Sequence, residues 1–297
     1  MPQNEELVAM ATLKIIRKRI SSVRNTQQIT KAMKMVSAAK LRRAQDAAVA
    51  ARPYAEKMTE LLKNVAARVS SEAHPLLQAR EEKKIQLVLF TSDRGLCGGY
   101  NANLIRAAEA FIRKNAGEKE VEMTLVGRKG ADHFRRRRAN IVDRYIGILA
   151  PPADELAAEI GQKLMARFIN GETDAVYILY SRFRSALSQV PTLEKLLPVA
   201  LSETSDTEAQ QLTEYLYEPG IEQLLASLLP RITDVAMQRA LLEATASEHG
   251  ARMTAMDSAT SNASKMIGSL TLQMNRARQA SITRELMEIV GTAEALK

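Results

Sequence analysis

A glycine-rich segment, residues 91–101, is the part of the sequence that most resembles a ligand-binding loop. It reads TSDRGLCGGYN and lies between a short apolar run and an amphipathic one. Backbone N–H groups in such loops can hold phosphate groups. The glycine spacing, however, matches neither the dinucleotide-binding fingerprint nor the P-loop. We therefore interpret the segment as a tight turn in which glycine supplies positive φ angles.

Cysteine and histidine offer little further chemistry. Cys97 is the only cysteine, and the three histidines, His74, His133 and His249, are widely separated in sequence. One thiol excludes a disulfide framework, and this spacing does not fit a Cys/His zinc site. Paired carboxylates, an HExxH motif and a Ser/His/Asp order are also missing from the sequence. We predict no catalytic residue, no metal site and no bound cofactor.

Basic residues dominate a segment near the N-terminus. Residues 7–45 hold ten Lys or Arg and no Asp or Glu. Residues 1–69 hold 14 basic against 5 acidic side chains, whereas residues 208–297 hold 8 against 11. A helix of this charge is attracted to an acidic partner, although a solvated face is the simpler alternative. The cluster Arg135–Arg138 is interpreted as a solvated helix end, with a phosphate-binding patch as the alternative.

Two long helices must carry these charges. Residues 1–94 contain no glycine, and apolar residues recur at steps of three and four from Leu13 to Val23 and from Leu41 to Val69. Gln27 and Thr30 interrupt this heptad seam, which indicates a stutter. A second seam begins at Ile221 and continues to Ala277. We expect two antiparallel helices of about 55–60 residues, kinked or broken at Pro53 and Pro230.

The middle of the chain has a different pattern. Strands are predicted at 85–90, 121–126, 141–146 and 175–183, with helices at 103–114, 129–137 and 154–169 between them. Residues 190–199 contain two prolines and fit only an edge strand. Alternating strands and helices predict a Rossmann-like α/β domain of about five mostly parallel strands. The expected division is an N-terminal coiled-coil helix (1–75), an α/β domain (76–207) and a C-terminal coiled-coil helix (208–297).

Composition excludes several classes of protein. Apolar residues make up 46% of the chain, yet the longest apolar runs are far shorter than the ~20 residues of a membrane span. The polar N-terminus does not read as a secretory or transit signal, and the order of residues 1–9 is left open.

Two alternative functions remain open from the sequence pattern. A basic segment followed by heptads also outlines a coiled-coil nucleic-acid binder, and the turn at 91–101 leaves an α/β nucleotide-using enzyme as another alternative.

Three motifs together resemble a known family. They are ITKAMKMVSAAK at 29–40, SDRGLCGG at 92–99 and ARQASITREL at 277–286. In this order, over essentially the whole chain, they closely resemble the gamma subunit of bacterial F-type ATP synthases. The resemblance implies a non-catalytic rotor shaft that couples proton flow through the membrane sector to ATP synthesis or hydrolysis. It also implies a peripheral place on the cytoplasmic face of the bacterial cell membrane.

The resemblance further implies partners and contact residues. The partners are the alpha and beta subunits of the catalytic hexamer, the epsilon subunit and the membrane c-ring, with no nucleic acid and no insertion into the membrane. Met33 and Lys34 match a contact with the beta-subunit lever, and Arg252 matches another contact with the hexamer. A polar cluster that matches contacts near the shaft's upper end consists of Arg278, Gln279, Thr283 and Glu285. A segment that matches residues near the c-ring contains Tyr215, Tyr217 and Glu218.

Overall fold

Two long helices form the ends of the chain. The computed structural model describes residues 2–66, 74–147, 153–199 and 220–295. Helix α1 spans Pro2–Ala66 and helix α5 spans Ile221–Ala295, which confirms the long-helix prediction at 65 and 75 residues. Residues 2–9, whose order the sequence left open, belong to α1.

The predicted breaks at the two prolines do not occur. Pro53 lies inside α1 and Pro230 inside α5, and both helices continue past them. An interior proline costs about 3 kcal/mol because it removes a backbone donor and clashes with the preceding turn. Buried side chains near each proline, among them Met58 in α1 and Leu229 in α5, anchor the helices to the core. Burial of these side chains offsets the local cost.

The elements between the long helices alternate as the sequence predicts. In chain order they are a 3-10 turn (Pro75–Leu77), β1 (Lys84–Phe90), α2 (Tyr100–Asn115), β2 (Glu120–Val126), α3 (Arg128–Arg136), β3 (Ile141–Tyr145), α4 (Ala153–Ile169), β4 (Ala175–Phe183) and β5 (Gln189–Leu197). Each predicted strand and helix is present with small shifts of its ends.

One five-stranded sheet has the order β3-β2-β1-β4-β5. Strands β1 to β4 are parallel, and β5 pairs antiparallel with β4 at the edge. Pro191 lies in β5 opposite Ser181, in agreement with the prediction of an edge strand for this proline-containing segment. The central strand β1 is buried from its second residue onward.

The two faces of the sheet are covered by different elements. Leu87 and Leu89 of β1 pack against α2 and α3, whereas Val88 and Phe90 pack on the opposite side. That opposite side is covered by α4 together with parts of α1 and α5, represented by Leu62 and Leu228. The long helices therefore supply part of the cover that a doubly wound sheet needs.

The chain packs as two compact units. One unit contains residues 1–36 and 255–297, and the other contains residues 37–254. The first, which we call the helical unit, consists of the start of α1 and the end of α5. The second, which we call the α/β unit, holds the sheet, its covering helices and the remaining turns of α1 and α5.

Candidate functional site

Polar side chains join the two helices of the helical unit. Three pairs do so: Gln27 Nε2 donates to Ser264 Oγ at 2.6 Å, the Thr30 and Thr260 hydroxyl oxygens lie 2.7 Å apart, and Lys34 Nζ pairs with Asp257 Oδ1 at 2.5 Å. Residue numbers rise along α1 as they fall along α5, so the helices are antiparallel. Polar seam residues fix the register of a coiled coil at a cost in stability.

The interrupted seam turns apolar residues toward solvent. Thr30 is buried where a heptad would place an apolar residue. In consequence Ile29, Met35 and Val36 are 60%, 60% and 57% exposed, and we call these three residues the apolar ridge. Contiguous exposed apolar side chains are typical of a protein interaction site. Met33 is partly buried beside this ridge.

The same stretch of α1 carries unpaired cations. Lys34 is the one basic side chain of residues 13–36 with an ion pair within the described part of the chain. The others are exposed: Lys14, Arg17, Lys18, Arg19, Arg24 and Lys31. Exposed cations of one sign attract an acidic surface. The apolar ridge and these cations together form the candidate partner-binding surface.

The predicted contacts near the C-terminal end of α5 are also exposed. Arg278, Gln279, Thr283 and Glu285 all point at least partly to solvent. Glu285 Oε1 accepts a hydrogen bond from Ser281 Oγ at 3.2 Å. Several large apolar side chains follow or alternate with them, and all are exposed: Ile282, Leu286, Met287, Ile289 and Val290. The structure brings polar and apolar candidates onto one helix end, while their partner contacts stay predictions.

Arg252 differs from the other candidates because it is buried, with 7% of its surface exposed. Its Nη2 atom lies 2.7 Å from Glu248 Oε1 and donates to the carbonyl oxygen of Arg94 at 3.2 Å. The guanidinium also donates to the Gly95 carbonyl oxygen at 3.4 Å. Its donors therefore serve this chain itself. Tyr215, Tyr217 and Glu218, the candidates near the c-ring, lie outside the described residues.

Burial controls the charges around Arg252. His249 Nδ1 lies 3.2 Å from Arg252 Nη1. Burial, with the nearby charges of Arg252 and Lys40, lowers the pKa of His249 to about 4, so the imidazole is neutral at pH 7. Burial also raises the pKa of Glu248, and the Arg252 guanidinium opposes that rise. His249 is thus a packed, neutral histidine.

The glycine-rich segment is a structural turn. Gly98 has φ +56°, which confirms the expected left-handed backbone. Asp93 accepts hydrogen bonds from the backbone N–H groups of Arg128 and Gly147, each at 3.0 Å. Cys97 is 2% exposed, so its thiol is shielded from solvent. The Ser92 N–H donates to Asn101 Oδ1 at 3.0 Å and the Tyr100 N–H donates to the Cys97 carbonyl oxygen at 3.2 Å, so internal hydrogen bonds hold the turn together.

Sequence reasoning missed one glycine that this turn requires. Gly127, between β2 and α3, has φ +95°, and a Cβ atom there would lie 2.0 Å from the carbonyl oxygen of Thr91. Thr91 Oγ1 also accepts a hydrogen bond from the backbone N–H of Gly130 at 2.9 Å. The dipeptide Val126-Gly127 at a predicted strand end was the available signal.

Neither a metal-binding cluster nor a membrane-spanning helix is present among the described residues. Over residues 2–66, 74–147, 153–199 and 220–295, no cluster of His, Cys, Asp and Glu has the arrangement of a metal site. Within the same ranges no helix is long and apolar enough to cross a membrane.

These features define a class of protein in which a doubly wound α/β domain is inserted between two long helices that pair antiparallel. The ATP synthase family model matches residues 12–296. The ATP synthase gamma chain of Geobacter metallireducens is 54% identical over 289 residues, covering 97% of this chain and 100% of that protein. The gamma chain of Anaeromyxobacter sp. (strain Fw109-5) is 51% identical over 292 residues, with the same coverage of 97% and 100%. The chain belongs to the ATP synthase gamma chain family.

Solved structures have the same fold. The Tetrahymena thermophila mitochondrial ATP synthase, in its central stalk and c-ring structure, contains a chain with TM-score 0.60 and 27% identity, covering 78% of this chain and 99% of that one. A chain in the Euglena gracilis mitochondrial ATP synthase structure has TM-score 0.67 at 20% identity and covers 96% of this chain and 95% of that one. The second similarity bears on the fold alone.

Proposed function

We propose that this chain is the central rotor shaft of an F-type ATP synthase, coupling proton flow through the membrane sector to ATP synthesis or hydrolysis on the alpha/beta hexamer. The observation that carries the proposal is the match to bacterial gamma chains over 97% of the chain and the whole of the relative. Every large feature of the fold is therefore shared with proteins of that name.

The helical unit has properties that suit a shaft. Paired helices are stiff along their axis, and the three polar pairs across the seam resist sliding of one helix past the other. The exposed cations and the apolar ridge lie on α1, whereas α5 has fewer basic residues. A shaft must be asymmetric, because a uniform surface would interact equally with every catalytic site and could not favour one of them.

The contact residues follow from this role. Met33 and Lys34 would meet the beta-subunit lever, since they lie beside the apolar ridge. Arg278, Gln279, Thr283 and Glu285 would contact the hexamer near the upper end of the shaft. Tyr215, Tyr217 and Glu218 would lie close to the c-ring. Exposed ion pairs contribute only about 0–1 kcal/mol each, so contacts of this kind attract the hexamer without locking the rotor.

The proposal extends to the place of the chain in the assembly. Its partners would be the alpha, beta and epsilon subunits and the c-ring, at the cytoplasmic face of the bacterial cell membrane. Catalysis would take place on other chains, with no catalytic group contributed here. Residues 1–75 and 208–297 would act as the coiled-coil shaft, and residues 76–207 as the foot beside epsilon and the c-ring.

Reconstitution tests the proposal. The purified chain is mixed with alpha and beta subunits, and an alpha/beta mixture without the chain is the control. Rotary turnover requires the complete set, and direct observation of a bead attached to the chain should show rotation driven by ATP. The rotor assignment is refuted if adding the chain leaves ATP turnover unchanged, or if a bead attached to the chain does not rotate.

A further inference from the structure

Helix α5 is fastened to the carboxyl edge of the sheet over residues 244–254. Three hydroxyl groups make these attachments, each to a backbone carbonyl oxygen: Tyr100 donates to Ala244 at 3.2 Å, Ser247 to Ser181 at 2.7 Å and Thr254 to Ala186 at 2.8 Å. All of these residues belong to the α/β unit. These hydrogen bonds connect α5 to the first residue of α2 and to the end of β4 with the turn that follows it.

This edge is where a doubly wound sheet ordinarily binds a ligand. The chain leaves β1 toward β2, while β4 lies on the other side of β1, so the order of the strands reverses between β1 and β4. Ligands of open α/β sheets bind at the carboxyl ends of the strands at such a reversal. Here Arg252 and its neighbours on α5 occupy that position. The chain has filled the usual ligand crevice with its own helix.

Arg252 makes the most numerous attachments in this region. Its guanidinium donates to the carbonyl oxygens of Arg94 and Gly95, and it also contacts Glu248 and His249. Hydrogen bonds to charged groups are stronger than neutral ones, and a buried guanidinium that lost its partners would be costly. Arg252 therefore holds the turn formed by residues 92–98 against α5.

The turn is itself stiff, so a single anchor can position all of it. Ser92 Oγ donates to the Arg94 carbonyl oxygen at 2.6 Å, and Asn101 Nδ2 donates to Cys97 Sγ at 3.1 Å. Asp93 ties the turn to the start of α3 through the Arg128 N–H. A force applied to α5 at Arg252 would reach the sheet through these bonds.

We propose that Arg252 is a positioning residue that locks the turn of residues 92–98 onto α5, so that the sheet and the helix move as one body. The part of this inference that concerns torque rests on the proposed rotor function. It assigns Arg252 to a joint inside the chain, in place of the hexamer contact implied by the sequence resemblance. Cys97, the only thiol, lies in the locked turn and reports on it directly.

The first experiment measures how fast a maleimide labels Cys97 in the purified full-length chain in native buffer. Arg252→Gln removes the charge while keeping much of the length, and it should speed labelling at least about tenfold because the turn opens more often. Arg252→Lys keeps the charge and should give an intermediate rate. Helicity by circular dichroism should stay at the wild-type level. A rate for both variants within about twofold of wild type would overturn the proposal.

Two controls separate local opening from general loss of stability. Arg239→Gln removes an arginine of the same helix that pairs with Glu194 and is half exposed, and it should leave the labelling rate unchanged. Leu164→Ala opens a cavity on the other face of the sheet and should lower the melting temperature without speeding labelling in native buffer. Equal acceleration by Leu164→Ala would mean that labelling follows global unfolding, and the proposal would fail.

The second experiment places Arg252→Gln and Arg252→Lys in the assembled complex and compares ATP-driven proton pumping with ATP hydrolysis. Arg252→Gln should lower the ratio of pumping to hydrolysis, and Arg252→Lys should largely restore it. Faster labelling with unchanged coupling would support the role of Arg252 in holding the turn on α5 but refute its role in transmitting torque. Unchanged labelling with lost coupling would overturn the joint and return Arg252 to the hexamer interface.

Discussion

Met33 lies next to Lys34, whose ammonium group is held by Asp257 on the facing helix. Met33 is partly buried, between the packed seam residue Thr30 and the exposed apolar ridge. A charged residue here would remain solvated in the free chain but would have to lose water when the surface meets a partner. Desolvating an unpaired ammonium group costs several kcal/mol.

We therefore expect Met33→Lys to impair coupling more than folding. Coupled proton pumping in membranes should fall at least about fivefold, while the melting temperature of the chain changes by no more than about 3 °C. Val49→Lys, at an exposed apolar position of α1 sixteen residues from Met33, is the matched control and should leave pumping unchanged. Wild-type synthesis and pumping with Met33→Lys would show that the contact assignment is wrong.

His249 gives a pH dependence at the same scale. Its pKa is about 4 in the folded chain because of burial and the nearby Arg252 and Lys40, against 6.5 ordinarily. Between these values the unfolded chain binds more protons, so stability falls as the pH drops from about 6.5 toward 4. Glu248, whose pKa is raised by burial, has the opposite sign and partly masks the effect.

Replacing His249 with Asn should flatten this dependence. Between pH 7 and pH 5 the wild type should lose about 1–2 kcal/mol more stability than His249→Asn, because only the wild type must keep a histidine neutral. Urea unfolding at the two pH values measures the difference. Between pH 7 and pH 8 the two proteins should change in parallel. An unchanged slope in the variant would rule out His249 as the source.

At the scale of elements, close contacts between turns fix how α3 is seated on the sheet. The turn after β1 and the turn after β2 meet at Thr91 and Gly127, where the hydroxyl of Thr91 donates to the Val126 carbonyl oxygen at 3.1 Å and accepts from the Gly130 N–H. No side chain fits between them. A Cβ atom at residue 127 would also require a backbone conformation that L-residues rarely adopt.

Gly127→Ala should thus cost at least about 3 kcal/mol in the free energy of unfolding. Gly117→Ala is the control, because Gly117 also has a positive φ, +89°, but a Cβ atom there meets nothing within 4 Å. It should cost only about 1 kcal/mol through backbone strain. Denaturant unfolding of both variants measures the two losses, and equal losses would show that the contact with Thr91 is not what demands glycine.

At the scale of the whole molecule, side chains of α5 pack at the reversal of strand order in the described part of the α/β unit, and the helical unit carries exposed cations on α1. The chain's net charge of +8 favours association with acidic partners and also predicts weak, salt-sensitive attraction to nucleic acid.

We expect the isolated chain to hydrolyse no ATP and to bind duplex DNA only weakly. ATPase activity should appear when alpha and beta subunits are added. Assays of phosphate release and of DNA binding at about 50 and 200 mM salt test both statements. Tight DNA binding with a steep salt slope would favour the coiled-coil nucleic-acid binder, and turnover by the pure chain would favour the nucleotide-using enzyme.

The sequence alone determined the elements and their order. Heptad spacing is local, so α1 and α5 could be predicted from their own residues. The interruption of the seam at Gln27 and Thr30 could likewise be predicted from the residues of α1 alone. The strands could also be predicted from local pattern, because short apolar runs typical of buried strands alternate with amphipathic helical segments. The predicted helix breaks at Pro53 and Pro230 were wrong because burial elsewhere on each helix outweighs a local penalty, whereas a kink at each proline stays a prediction.

Only the tertiary structure decided which side chains meet. Arg252 matched a surface contact in sequence, yet it is buried against a turn more than 150 residues away. The need for glycine at residue 127 likewise comes from Thr91, a residue on another turn. Such contacts depend on how helices and strands pack in three dimensions, so they cannot be predicted from the neighbouring residues in the sequence.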